Sequence, residues 1–180
     1  MNKQEKARLK EIKQISQQLV SGNAKEILKA LEIIPEKGDE QHIPLLLDIL
    51  TVSTDEQVKT KVLELLFNIK VSAIKKYVIQ YLKQAQTEEN KQQLLSVIWQ
   101  AGLDVSEHLD IIIDTLISGN YLTAIEAFTV LEECMNHIEN KELIENSIKR
   151  LKRAIVDDPQ SDKIEMLSGI IHSLNEKIAG

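Results

Sequence analysis

The stretch HIPLLLDILTVSTDEQVKTKVLELLFNIK, residues 42–70, contains two apolar segments joined by a short polar one. In the second segment the apolar side chains recur at spacings of three and four, at Val58, Val62, Leu65, Leu66 and Ile69. This spacing places them within about 100° of one helical face, whereas a half-buried strand would alternate apolar and polar residues. The stretch therefore predicts two consecutive helices connected by a turn.

The same helical spacing continues on both sides of this stretch, and no alternating pattern competes with it. The predicted breaks fall at proline and glycine. Pro35 and Pro159 are predicted between helices, and Pro44 in a first helical turn. Glycines are expected to end helices in the left-handed conformation at positions 22, 38, 102 and 119. Gly169 falls inside a periodic segment, which favours a close approach of two helices there.

The pattern predicts an all-α fold of ten helices. Their predicted bounds are 3–20, 24–34, 41–52, 55–69, 72–85, 88–101, 107–118, 121–137, 141–156 and 162–178. Five of them follow a residue type that caps helices well, namely Asn23, Thr54, Thr87, Asn120 and Ser161. Successive caps lie 31, 33, 33 and 41 residues apart. A period near 33 with two helices per unit is typical of an α-solenoid.

Residues 42–70 resemble a HEAT repeat, with a short first helix that opens on Pro44, a turn of four residues and a longer second helix. Segments 71–102 and 105–138 keep the two-helix layout and are similar to HEAT-like or armadillo-type repeats. The resemblance implies a right-handed α-α superhelix of about five antiparallel helix pairs in one domain, residues 1–180. The expected pairs are 3–34, 41–69, 72–101, 107–137 and 141–178.

Two helices illustrate where each element is expected in such an array. Helix 121–137 has a wide apolar arc, which predicts a middle element covered on two sides; the arc contains Tyr121, Ala124, Ile125, Phe128, Leu131, Cys134, Met135 and Ile138. Helix 3–20 has one narrow apolar stripe and is expected to be a terminal cap. That stripe contains Leu9, Ile12, Ile15 and Leu19.

Composition limits the possible functions. Leucine and isoleucine number 47 against six aromatic residues, so few rings are present to stack on bases or cofactors. The net charge of −6 argues against a nucleic-acid partner. No apolar run approaches the roughly 20 residues that span a bilayer, and the charged N-terminus is unlike a signal peptide. The single Cys134 excludes an intramolecular disulfide. A cytoplasmic protein without a membrane span is expected.

No catalytic or metal-binding motif stands out. Cys134 and His137 lie near Glu133 and Glu139, but Cys134 falls in the apolar arc and no further Cys or His completes a metal site. The acidic residues of helix 107–118 and the basic run of helix 141–156 are interpreted as solvated surfaces. These sets are Glu107, Asp110 and Asp114, and Lys149, Arg150, Lys152 and Arg153. No cofactor is expected, and the protein is not predicted to be an enzyme.

In the HEAT family partners usually bind the concave face formed by the second helix of each pair. Transferred by position, the resemblance implies a face made of Gln57, Lys61, Glu64, Gln93, Ser96, Trp99, Gln100, Glu126, Thr129 and Glu133. Trp99 fits either this rim or the packing between repeats, because it lies about 100° from its helix's core direction. The face leans acidic, so the expected function is a scaffold that binds another protein through a basic segment. The alternatives are a HEAT-like DNA glycosylase and a bilin-lyase-like enzyme.

Overall fold

The computed structural model describes residues 2–69 and 73–179, and within this part of the chain it contains ten α-helices and no strand. The all-α prediction is confirmed, with helix ends within three residues of the predicted ones. The predicted start of the fifth helix at residue 72 lies outside the described residues. The helices are α1 (Lys3–Leu19), α2 (Ala24–Lys37), α3 (His42–Val52), α4 (Glu56–Phe67), α5 (Ile74–Gln84), α6 (Glu88–Gln100), α7 (Leu109–Ser118), α8 (Tyr121–Cys134), α9 (Lys141–Asp157) and α10 (Ile164–Ala179).

Side-chain caps begin α2, α6 and α8 where the sequence predicts them. In each, the oxygen of the cap side chain accepts hydrogen bonds from backbone N–H groups of the first turn; the caps are Asn23, Thr87 and Asn120. The left-handed conformation is confirmed at Gly22 and Gly102, whose φ angles are 69° and 62°. It is wrong for Gly38 and Gly119, whose φ angles of −66° and −72° are open to any residue.

Two predicted caps are wrong. The cap of α4 is Asp55 rather than Thr54, since the Asp55 carboxylate accepts two N–H groups of the first turn at 3.0 and 3.1 Å. An ionised cap also interacts favourably with the positive end of the helix dipole, which explains why the carboxylate takes the position. Ser161 lies three residues before α10, and its hydroxyl accepts the N–H of Lys163 at 3.4 Å. It therefore closes a turn before the helix.

The prolines are placed correctly with one exception. Pro44 lies in the first turn of α3, and Pro159 lies between α9 and α10. Pro35 lies inside α2 and does not end it, contrary to the prediction. The helix continues for two residues beyond Pro35, and the carbonyl of Ile34 still accepts the N–H of Gly38 at 2.8 Å. Proline removes only its own donor, so one further turn remains bonded at the helix end.

The chain divides into two compact units, Met1–Val78 and Ile79–Gly180, with the boundary inside α5. In the first, the N-terminal unit, α1 packs against α2 and α3 against α4. In addition, α1 contacts α3 and α2 contacts α4. The buried side chains between these four helices are almost all aliphatic, and include Ile12, Ile15, Leu19, Leu31, Leu46, Leu47, Leu50, Val58, Val62 and Leu66.

Helix α1 differs from its predicted stripe at one residue. Ile12, Ile15 and Leu19 are buried, but Leu9 is 51% exposed. The buried ring of His42, the first residue of α3, lies level with Ile12, because its Nε2 donates to the Ile12 carbonyl at 3.2 Å. The turns of α1 before Ile12 therefore extend beyond the start of α3, which leaves Leu9 without that helix beside it.

In the second, the C-terminal unit, α8 contacts α6, α7 and α10, while α9 contacts α7 and α10. The prediction that α8 is a middle element is confirmed. Its predicted apolar arc is wrong at one edge, because Tyr121 is 47% and Ile125 39% exposed. The buried side of α8 is centred instead on Thr123, Ala124, Ala127, Val130, Leu131 and Cys134. Small side chains at this centre let the neighbouring helices approach closely, and the larger ones are displaced toward solvent.

The segment before α10 is tied to the end of α7 by one side chain. The ammonium of Lys163 donates to the carbonyls of Leu116 at 3.4 Å and Gly119 at 2.8 Å, and also to the carbonyl of Ile117. Helix ends leave carbonyls without intrahelical partners and carry a partial negative charge. Lys163 therefore acts as a cationic C-terminal cap supplied from another part of the unit.

Candidate partner-binding faces of the second helices

The predicted face divides between the two units, with Gln57, Lys61 and Glu64 in the N-terminal unit and the other residues in the C-terminal unit. In the C-terminal unit, Trp99 of α6 and Glu126 of α8 are joined by a hydrogen bond of 2.7 Å from the indole Nε1 to the Glu126 Oε2. Trp99 remains 36% exposed. Trp99 therefore packs at the contact between α6 and α8 while part of its ring stays in solvent. The sequence left open whether Trp99 is exposed at a rim or packed between helices, and the structure shows both.

A second set of contacts holds α6 and α8 together at the start of α8. The Glu88 carboxylate accepts the backbone N–H of Asn120 at 2.7 Å and the ammonium of Lys91 at 2.6 Å. Gln92 donates to the side chains of Asn120 and Thr123 at 3.3 and 3.1 Å. The hydrogen bond from Lys91, helped by those from Asn120 and Thr123, lowers the pKa of the Glu88 carboxyl to about 2. Sequence analysis did not single out this network.

The first turns of α8 carry an exposed apolar patch, and its residue Ile125 directly precedes Glu126, the hydrogen-bond partner of Trp99. This α8 patch consists of Tyr121, Leu122 and Ile125, and Leu122 is 60% exposed. The spacing of three and four predicts Tyr121 and Ile125 in the core, and for these two residues the prediction is wrong. Ala124 and Ala127 were the signal that could have corrected it, since small residues mark the side on which helices pack closely.

The other predicted residues of this face are polar, and three of them bond to their own helix. The side-chain amide of Gln93 donates to the Glu89 carboxylate at 3.3 Å. The hydroxyl of Ser96 donates to the Gln93 carbonyl at 2.8 Å, and that of Thr129 to the Ile125 carbonyl at 3.0 Å. Their hydroxyl hydrogens are therefore already engaged. Gln100 and Glu133 are exposed, and Glu133 lines a small cavity of about 130 Å³ together with Trp99.

In the N-terminal unit the three predicted residues lie on α4. Gln57 is exposed, and the ammonium of Lys61 donates to the Glu64 carboxylate at 2.9 Å. This hydrogen bond is the main reason that the pKa of Lys61 is raised above its ordinary value. All three side chains border the space between α2 and α4.

The structure offers no metal site among the residues it describes. Cys134 is buried, with its Sγ 3.9 Å from the Leu103 carbonyl. His137 pairs with Asp104, their nearest nitrogen and oxygen lying 3.4 Å apart. This pairing directs the imidazole to a carboxylate of the preceding loop, while Cys134 points into the core. Glu133 and Glu139, also considered as ligands, are exposed at either end of this segment.

The acidic set at α7 and the basic set of α9 are joined through Arg150, and other members pair with residues near them in sequence. Arg150 of α9 forms an ion pair with Asp114 of α7 and donates to the Asp110 carbonyl at 3.4 Å. Arg153 pairs with Asp157 within its own helix at 3.5 Å. The contacts of Arg150 therefore join α7 to α9, and Lys149 and Lys152 are exposed. Glu107 pairs with the neighbouring imidazole at residue 108.

No helix in the described part of the chain is both long and apolar enough to cross a membrane. Comparison of the chain with family models, with curated proteins and with solved structures finds no match in any of the three.

Proposed function

We propose that this protein is a non-enzymatic scaffold of the HEAT-like type that binds a basic segment of another protein on the face of its second helices. The packing within each unit supports a repeat array. First helices contact first helices, as α1 with α3 and α7 with α9. Second helices contact second helices, as α2 with α4, α6 with α8 and α8 with α10. An array of stacked helix pairs has these neighbours.

The observation that carries the binding proposal is the exposed Trp99, which is held by Glu126, the residue that follows Ile125 of the α8 patch. Tryptophan and tyrosine are over-represented among the side chains that dominate interface energies. The hydrogen bond to Glu126 fixes the indole in one orientation, so less side-chain entropy is lost when a partner packs on it. Exposed apolar side chains in adjacent turns extend the contact area.

The charge of the same surface supports a basic partner. Glu126, Glu132 and Glu133 follow the α8 patch along the helix, and the latter two are exposed. Carboxylates around an apolar contact steer a cationic segment and disfavour anionic ones. The same charge argues against the DNA glycosylase alternative, which needs a basic surface for phosphates.

The bilin-lyase alternative rests on fold analogy alone. We place the scaffold in the cytoplasm, consistent with its single buried thiol.

The test is affinity capture from native lysate with the full chain and with the double variant Glu126→Lys, Glu133→Lys. We expect the variant to lose the partner that the wild type captures, and raised salt to slow association, because steering charges act over a Debye length of about 8 Å. Glu126→Gln keeps an acceptor for the Trp99 indole and should retain most binding.

The matched control is Glu142→Lys with Glu145→Lys, the same reversal on exposed positions of α9, a first helix. Normal capture by Glu126→Lys, Glu133→Lys, or loss of capture by the α9 variant alone, would contradict the proposed face. Circular dichroism of each variant confirms that folding is retained.

A further inference from the structure

The N-terminal unit contains two cavities on its α2 and α4 side, and the predicted residues Lys61 and Glu64 line both of them. The first, the anchor cavity, has a volume of about 580 Å³ and lies where α2 ends, α3 begins and α4 ends. Its apolar lining comes from Ile34, Pro35, Ile43, Leu46, Leu65 and Ile69. The second, the side cavity, has about 570 Å³ and lies between α2 and α4 beside Leu28 and Thr60.

Lys61 and Glu64 line both cavities, so their ion pair of 2.9 Å forms the division between them. Both side chains are about half exposed, at 42% and 56%. An ion pair in this setting contributes little to stability and exchanges readily with other charges. The two cavities therefore form one groove, the α2–α4 groove. The Lys61–Glu64 ion pair crosses this groove and can be displaced by a ligand.

The groove is acidic at its edges. Glu40 borders the anchor cavity and Glu32 the side cavity, and both are exposed. Neither takes part in an ion pair within the part of the chain that the structure describes. Asp39, also at the anchor cavity, lies 3.5 Å from Arg8. The carboxylates open to a ligand are therefore Glu40 at the anchor cavity and Glu32 at the side cavity, and Glu64 lines both cavities.

The polar groups at the floor of the anchor cavity are already satisfied. His42 accepts the N–H of Asp39 on Nδ1 at 2.9 Å and donates from Nε2 to the Ile12 carbonyl. The amide of Asn68 donates to the carbonyl of Glu64 at 2.8 Å. A polar metabolite would find few directional partners here, whereas pockets for such ligands present several convergent polar groups. An apolar side chain needs only the volume and the aliphatic lining.

We propose that the α2–α4 groove binds a basic segment of the partner protein, with one bulky apolar side chain in the anchor cavity and lysine or arginine side chains at Glu40, Glu64 and Glu32. This inference rests on the proposed function and adds a second contact to it. The charge complementarity defines the occupant, because a cation of the partner replaces Lys61 as the neighbour of Glu64. The apolar anchor then fills a space that aliphatic side chains already enclose.

The test uses a short fluorescein-labelled peptide with a central tryptophan between lysines, titrated into the full chain by fluorescence anisotropy. We expect saturable binding that weakens about tenfold or more when the peptide tryptophan is replaced by alanine. A peptide with glutamate in place of lysine should not bind. Saturable binding of the glutamate peptide with similar affinity would overturn the proposal.

Protein variants locate the binding. Glu32→Lys with Glu40→Lys should weaken the lysine peptide about tenfold or more, since both positions are exposed and folding is unaffected. Lys61→Met removes the competing cation and should strengthen binding several-fold, a gain that mere damage to the fold cannot produce. Glu142→Lys with Glu145→Lys is again the matched control and should bind as the wild type does.

Several outcomes separate this inference from the proposed function. The peptide could lose binding with Glu126→Lys, Glu133→Lys but not with Glu32→Lys, Glu40→Lys. That result would contradict binding in the α2–α4 groove, and the proposed scaffold function would remain. Absence of peptide binding to the wild type would also overturn the groove, while lysate capture tests the scaffold independently. A small molecule retained in native mass spectrometry and lost with Glu40→Lys, or a dimer lost with that change, would replace the partner segment as occupant.

Discussion

The two units bury similar aliphatic cores, yet the surface over α2 and α4 differs from the surface over α6 and α8. In the C-terminal unit Trp99 covers the contact line of α6 and α8, and the cavity beside it measures about 130 Å³. In the N-terminal unit the side chains over α2 and α4 are the Lys61–Glu64 pair, and the cavities measure about 580 and 570 Å³. The comparison shows that side chains at the surface of a helix pair decide whether it presents a filled face or a groove.

The largest expected effect tests whether the two cores are in fact alike. Leu131→Ala in the C-terminal unit and Leu46→Ala in the N-terminal unit should each lower the free energy of unfolding by about 2–5 kcal/mol. Both side chains are buried, at 1% and 0% exposure. Leu9→Ala should cost less than about 1 kcal/mol, because half of that side chain already faces solvent. Chemical denaturation measures all three.

If Leu46→Ala and Leu9→Ala lower the free energy of unfolding equally, the two units do not have similar cores. The N-terminal unit would then lack a core as well packed as that of the C-terminal unit. A markedly smaller loss for Leu46→Ala than for Leu131→Ala would move the difference between the units from their surfaces to their interiors.

The next effect concerns the cationic cap, which the C-terminal unit uses to hold α7. Lys163→Met should lower the free energy of unfolding by about 2 kcal/mol, because three carbonyls at the end of α7 lose a charged donor. Thermal unfolding measures the loss. Lys152→Met, an exposed lysine of α9, serves as the control and should be close to neutral. Similar melting temperatures for both variants would show that the cap is dispensable.

A smaller effect concerns the contacts of Glu88 with Lys91 and Asn120, which join α6 to the start of α8 in the C-terminal unit. Their contribution to stability should depend on pH. The pKa of Glu88 is lowered from 4.5 to about 2, so its contribution is full above pH 4.5 and is lost as the pH falls toward 2. The side chain is 34% exposed, which limits the contribution to about 1 kcal/mol. Glu88→Gln should therefore show a flatter loss of stability in this window. If urea titrations give Glu88→Gln the same dependence of the free energy of unfolding on pH as the wild type, the stabilising role of Glu88 is contradicted.

The smallest effect has the opposite sign. A Cβ at Gly169 of α10 would lie 3.7 Å from the Phe128 ring, an ordinary contact, so the close approach expected from the sequence does not require glycine. Gly169→Ala should raise the free energy of unfolding by about 0.5–1 kcal/mol. At Gly119 the same Cβ would lie 2.6 Å from the Thr123 methyl group, so Gly119→Ala should destabilise. Differential scanning calorimetry on the two variants decides between these signs.

Local signals in the sequence predicted several caps and breaks correctly and missed others, such as the cap at Asp55. The caps at Asn23, Thr87 and Asn120 and the breaks at Gly22 and Gly102 depend on the backbone within one turn, and they are confirmed. The placement of α8 between other helices also followed from its wide apolar arc. Which side of that arc is buried did not, because Tyr121 and Ile125 fit the periodic pattern as well as Ala127 does.

The candidate site divides in the same way. Sequence position brought Trp99 and Glu126 into one proposed face, but their hydrogen bond depends on how α6 packs on α8. The groove between α2 and α4 was not predicted at all. Only Gln57, Lys61 and Glu64 at its edge were assigned, and nothing in a helical wheel indicates a volume left open between two helices.

The sequence by itself determined that the chain is all-α, where its helices lie to within three residues, and that its cores are aliphatic. These properties follow from residue spacing and from hydrogen bonds that each turn makes with itself. Three features depend on the tertiary structure alone. They are the choice of the buried side of α8, the cap that Lys163 gives to the end of α7, and the cavities beside Lys61. Each depends on residues far apart in the chain meeting at a close-packed contact, where the sizes of both partners set the outcome.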